Sequence, residues 1–163
     1  MRIFYLVPER ISGKLCNVAY PFQKRGKKMV ENAVIENIKG TLKVIGDLKT
    51  KFGIKRNPDC RDSLLYVGVA NSDLITQLNP VVEEYFGKAY KPAGETAFMK
   101  NWFDGFVKDV GGVRTEQTLF RKDINDRLTL YCAYWPWGSN PVNTSVRIGL
   151  LCRTEEEEEE MIK

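Results

Sequence analysis

The chain contains no histidine. That removes the commonest general base, the usual partner of a serine or cysteine nucleophile, and the commonest transition-metal ligand. Its four cysteines, Cys16, Cys60, Cys132 and Cys152, form no C-x-x-C pair, whereas structural zinc sites use closely spaced ligand pairs. No stretch approaches the ~20 apolar residues that a membrane-spanning helix needs. The N-terminal apolar run, Ile3 to Val7, is cut off by Pro8, Glu9 and Arg10, which is too short for the core of an export signal. No phosphate-binding loop, dinucleotide fingerprint, nucleophile elbow, calcium loop or zinc-protease motif occurs. These absences predict a cytoplasmic protein with reduced thiols, no metal and no cofactor, and they argue against an enzyme.

What is present is a chain of 163 residues, the length of one domain with a sizeable core. Residues 1–153 are expected to form that domain and residues 154–163 an acidic tail, since Glu155 to Glu160 are six consecutive glutamates. Charge is uneven. Between Lys24 and Arg56 ten basic residues face Glu31, Glu36 and Asp47, a net of +7, and because the whole chain carries +4 the remainder carries −3.

Periodicity sets the elements. Ile3 to Val7 reads as a short strand ended by proline. Val30, Val34, Ile38, Leu42, Ile45, Leu48 and Phe52 fall on one stripe of a long helix from about residue 23 to 52, with lysines over much of the other face. Gly40 and Gly46 interrupt it and mark a bend or a close helix contact. Leu64 to Ala70 is a continuous apolar run, as in a strand buried on both faces at the centre of a sheet. Asn71-Ser72-Asp73 follows it as a helix cap, with Asp73 as a weaker candidate base. Asn79-Pro80 reads as a second helix start, with Gly87 at its end. Phe98, Trp102, Phe106 and Val110 repeat every four residues in a helix over 95–110, stopped by Gly111-Gly112. The last third is an antiparallel meander with strands at 118–121, 127–135 and 144–152. Leu128, Leu130, Cys132 and Tyr134 share one face. If the loop between the last two strands closes the hairpin evenly, Cys132 lies near Val146 and Cys152 near Asp126. That places the two cysteines too far apart for a disulfide. The fold expected is α+β: a mainly antiparallel sheet of four or five strands, with the long amphipathic helix and further helices packed on one face.

Two surfaces are candidates for function. The first is the loop Tyr134-Trp135-Pro136-Trp137, which holds two of the three tryptophans. Pro136 and Pro141 keep the flanking strands from entering it, and the alternation turns Trp135 away from Tyr134. Three explanations compete: a loop folded over a satellite cluster, an anchor for a partner or second copy, and a wall of a ligand site. The second surface is the basic stretch beginning Lys24, Arg25, Lys27 and Lys28, for which a solvated helix face competes with polyanion or nucleic-acid binding. Aromatic interleaving is poor there, so base stacking has little support. The leading expectation is a binding or regulatory module that holds a small apolar ligand or a protein partner at Trp102, Tyr134, Trp135 and Trp137, as a homodimer. Polyanion binding and a histidine-free acid–base enzyme are the alternatives.

Overall fold

A computed structural model describes residues 24–57, 64–138 and 141–152, with the side chains of 24–31 left undescribed. The expected strand at 3–7, Cys16, Cys60 and the acidic tail lie outside the described residues. The element order is α1 (Lys24–Thr50), β1 (Leu64–Asn71), α2 (Ser72–Phe86), α3 (Phe98–Phe103), α4 (Gly105–Asp109), β2 (Thr118–Asn125), β3 (Leu128–Pro136) and β4 (Asn143–Cys152). The four strands form one antiparallel sheet in the order β1-β4-β3-β2, so the α+β class read from the sequence is the class of the fold. Among the described residues no helix is long and apolar enough to cross a membrane.

The helices do not share one face. Strand side chains alternate, so Leu130, Cys132, Tyr134, Val146 and Ile148 point to one side, where Val44, Ile45 and Leu48 of α1 and Leu78, Val82 and Phe86 of α2 bury them. Leu119, Tyr131 and Ala133 point to the other, where Phe106, Val107, Val110 and Val113 cover them. The alternation seen in the sequence holds, but both of its sets are buried, because α4 and the turns around it close the second face.

Four local expectations are corrected. On α1 the core-facing line is Thr41, Val44, Ile45 and Leu48, while Ile38 and Leu42 are exposed. The rotation follows the contact with α2: Gly40 lies against the Tyr85 ring, and the Tyr85 hydroxyl donates to the Asn37 carbonyl at 2.5 Å. Pro80 does not begin a helix. It lies inside α2, which starts at Ser72 with Asn71 as its cap, the Asn71 side chain accepting from the Asp73 amide at 2.9 Å. Burial of Leu78, Val82 and Phe86 at a spacing of four holds the helix together through the proline. β1 lies at a sheet edge, not at the centre. Its outer side is covered by the chain after α1, where the Asn57 amide donates to the Val67 carbonyl at 2.7 Å and Arg56 bridges Gly68. Finally, Cys132 pairs with Ile148 and Cys152 with Leu128, two residues off the expected register. An even slip keeps every side chain on its face, so the cysteines remain four pairs apart.

Candidate functional site

At the end of the sheet where β3 turns into β4, an open cleft of about 470 Å³ is lined by Asn101, Val113, Arg114, Gln117, Trp135, Trp137, Ser145 and Arg147, with the Gly111-Gly112 turn at its margin. Trp135 and Ser145 are partners across the strand pair, as are Ala133 and Arg147. The period of two therefore puts Trp135, Ser145 and Arg147 on the same face. The Arg147 guanidinium lies 3.8 Å from the centroid of the Trp135 ring, a stacked cation–π contact. The loop then brings Trp137 back over β4. Its amide donates to the Asn143 carbonyl at 2.9 Å, and its indole Nε1 donates to Ser145 Oγ at 2.7 Å. The Trp135 Nε1 is buried without a hydrogen-bond partner among the described residues.

The opposite wall is held by two devices. Asn101 of α3 mimics a strand partner for Val113: its Nδ2 donates to the Val113 carbonyl and its Oδ1 accepts from the Val113 amide, both at 2.8 Å. Lys91 is fully buried, and its Nζ donates to the carbonyls of Arg114, Thr115 and Gln117 at 2.6, 2.6 and 2.7 Å. Those three acceptors match the three donors of an ammonium. Burial lowers the Lys91 pKa from its ordinary value, and Glu116 and Glu95 oppose that. Gln117 closes the turn by accepting from the Arg114 amide at 2.8 Å. Gly111 and Gly112 have φ of 93° and 81°, values that residues with a Cβ rarely adopt. The stop signal in the sequence is thus also the bend that delivers Val113 and Arg114 to the cleft.

Of the four aromatics singled out by sequence, the cleft joins two, Trp135 and Trp137. Tyr134 lies on the other face of the sheet, buried against Phe120 at a ring-centroid distance of 5.4 Å. Burial pushes its hydroxyl pKa well above the usual phenol value. Trp102 is exposed and is not part of the cleft wall. The Lys24, Arg25, Lys27 and Lys28 side chains lie outside the described residues. Further along α1, Lys39 pairs with Glu36, and Lys51, just past the helix end, pairs with Asp47. Asp73 serves the cap of α2. Cys132 is buried, which raises its thiol pKa, and among the described residues no group of three or more cysteine or acidic side chains is placed to hold a metal ion.

Sequence reasoning missed Asn101, Arg114, Gln117, Ser145 and Arg147. One signal was available: Arg147 is the single charged residue in β3 and β4, set between Val146 and Ile148 in an otherwise uncharged pair of strands. Comparisons with protein-family models, with curated proteins and with solved structures found no match.

Proposed function

We propose that the protein is a non-catalytic binding module whose cleft takes a small organic anion with a flat, unsaturated body. One observation carries this reading: the cleft wall holds two arginines and two tryptophans and not one carboxylate or lysine. Guanidinium groups suit carboxylate, sulfonate or phosphate oxygens, and indole faces suit a planar ring. The volume, about 470 Å³, falls within the range of roughly 300–1,000 Å³ common to small-molecule sites. An apolar ligand, the simpler expectation from the tryptophans alone, would not use the positive charge that the two arginines bring to the cleft.

The test is isothermal titration calorimetry with naphthalene-2-sulfonate and its neutral analogue naphthalene-2-sulfonamide. The sulfonate binds at least tenfold more tightly, a difference of about 1.4 kcal/mol. Arg147→Met removes that preference, and Arg147→Lys restores part of it by returning the charge without the stacked plane. Equal affinities for the two probes, or a sulfonate affinity indifferent to Arg147→Met, would overturn the reading.

A further inference from the structure

Helix α3 is inside out. A surface helix ordinarily turns its apolar stripe to the core and its polar face to water. Here the polar residues point inward. Lys100 Nζ donates to the Tyr90 carbonyl at 2.5 Å and sits 4.5 Å from the Tyr90 ring centroid. Asn101 makes its two bonds to Val113. Asp104, the residue that ends α3 and caps α4, accepts from the Tyr90 hydroxyl. With these three anchored, the apolar side chains are left outside: Phe98, Met99, Trp102 and Phe103 are 68, 63, 63 and 74% exposed. They form one surface, with ring centroids 6.2 Å apart for Phe98 and Trp102 and 6.5 Å apart for Trp102 and Phe103. The break between α3 and α4 leaves a shallow groove beside them, lined by Met99, Lys100, Phe103, Asp104 and Gly105.

We infer that this face is the contact between two copies of the chain, related by a two-fold axis. Three observations select a second copy. The patch carries both projecting rings and a groove, so the same surface offers the knob and the hole that an isologous contact requires. Its charge is nearly balanced, since residues 95–109 carry Glu95, Lys100, Asp104, Lys108 and Asp109, so two copies meet without a strong like-charge field. The area also fits. At about 150–250 Å² per large ring, two-thirds exposed, the patch offers on the order of 500 Å² per copy. Two copies together then reach the roughly 1,000 Å² at which a specific interface begins. A lipid surface fits less well. Peripheral apolar helices pair their rings with a cationic rim. Here Lys100 is tied to the Tyr90 carbonyl, and Lys108 stands beside Asp109 in a segment with more acidic than basic residues. The described lysines of α1, Lys39, Lys43 and Lys49, belong to the helix on the opposite face of the sheet.

The inference is independent of the ligand and is tested on the full chain. Sedimentation velocity across a micromolar concentration series gives a dimer for the wild type. Trp102→Ser combined with Phe103→Ser weakens the dimer at least hundredfold with an unchanged circular-dichroism spectrum. Hydroxyl-radical labelling of the wild type decides the question even if that variant misfolds: Met99 and Trp102 label freely in dilute solution and are protected in concentrated solution. A wild type that stays monomeric at every concentration overturns the inference. So does a dimer in which Met99 and Trp102 label as they do in the monomer. A monomer that binds neutral phosphatidylcholine vesicles also overturns it and assigns the patch to lipid.

Discussion

The Lys91 ammonium lies 2.6 Å from the carbonyl oxygen of Arg114, in the interior of the protein. Thr115 and Gln117 supply the other two acceptors, so one side chain closes a turn that has no regular backbone ladder of its own. Lys91 also joins the segment to the sheet edge, exchanging backbone bonds with Leu119 at 3.0 and 2.9 Å. The cleft wall depends on a buried lysine that belongs to none of the elements or motifs read from the sequence.

Lys91→Met keeps most of the volume and removes the three donors. The Arg114 and Thr115 carbonyls keep backbone donors, from the Gln117 amide at 3.2 Å and the Gly94 amide at 2.8 Å, so the Gln117 carbonyl is the one that loses its donor, at a cost of about 1–3 kcal/mol. The variant is expected to lose roughly 1–3 kcal/mol of stability in urea denaturation, and to bind naphthalene-2-sulfonate more weakly because the Arg114–Gln117 turn loosens. A loss below about 1 kcal/mol would mean that the turn does not need the lysine.

Gly149 faces Tyr131 across β3 and β4. A Cβ built there would meet Cε1, Cζ and the hydroxyl of Tyr131 at 2.4 Å, so the ring lies flat over the glycine. Gly149→Ala must displace a ring that also packs against Phe106 of α4, 6.4 Å between centroids. Overpacking of this kind costs about 1–3 kcal/mol. Thermal unfolding measures it, and an unchanged midpoint would place the ring elsewhere.

Tyr66 is fully buried, donates to the Ile54 carbonyl at 2.9 Å, and has its pKa pushed up from 10.0 to about 12 by burial. The folded state therefore holds this proton more tightly than the unfolded chain does. The stability it contributes is complete below pH 10 and is lost as pH rises towards 12. Tyr66→Phe is expected to cost about 1 kcal/mol at pH 8. It should also make the alkaline decline in stability shallower. Parallel declines for the two proteins would contradict the assignment.

Pro80 is exposed in the interior of α2, where it has no amide to offer the Thr76 carbonyl. Pro80→Ala restores that donor and a strong helix former, against a smaller gain in the entropy of the unfolded chain. A net stabilisation of about 1–2 kcal/mol follows, seen as a rise of a few degrees in Tm. A lower Tm would show that the proline sets a bend that α2 needs.

The sequence was most legible where structure is local. The alternation at Leu128, Leu130, Cys132 and Tyr134 assigned these side chains to one face, and the assignment survived a register error of two because the pleat repeats every two residues. Gly40 signalled a close helix contact, and Tyr85 is what makes it. Legibility failed where a pattern had two physical solutions. The repeat Phe98, Trp102, Phe106, Val110 reads as one buried helix. Asp104 instead ends one short helix and caps the next, its side chain 3.4 Å from the Val107 amide, so only Phe106 and Val110 reach the core. Pro80 failed for the converse reason, since tertiary burial of α2 outweighed a strong local start signal.

The absence of histidine, the faces of the strands and the cap at Asn71 were decided by the sequence itself, because each depends on residue identity or on a spacing of two to four. Tertiary structure decided which side of α3 meets water, since that depends on where Tyr90 and Val113 offer bonds to Lys100, Asn101 and Asp104. It also decided the cleft. Asn101, Val113, Trp135 and Arg147 are scattered over nearly fifty residues, and only the antiparallel return of β4 beside β3, with the glycine turn folded over them, brings a guanidinium onto an indole face.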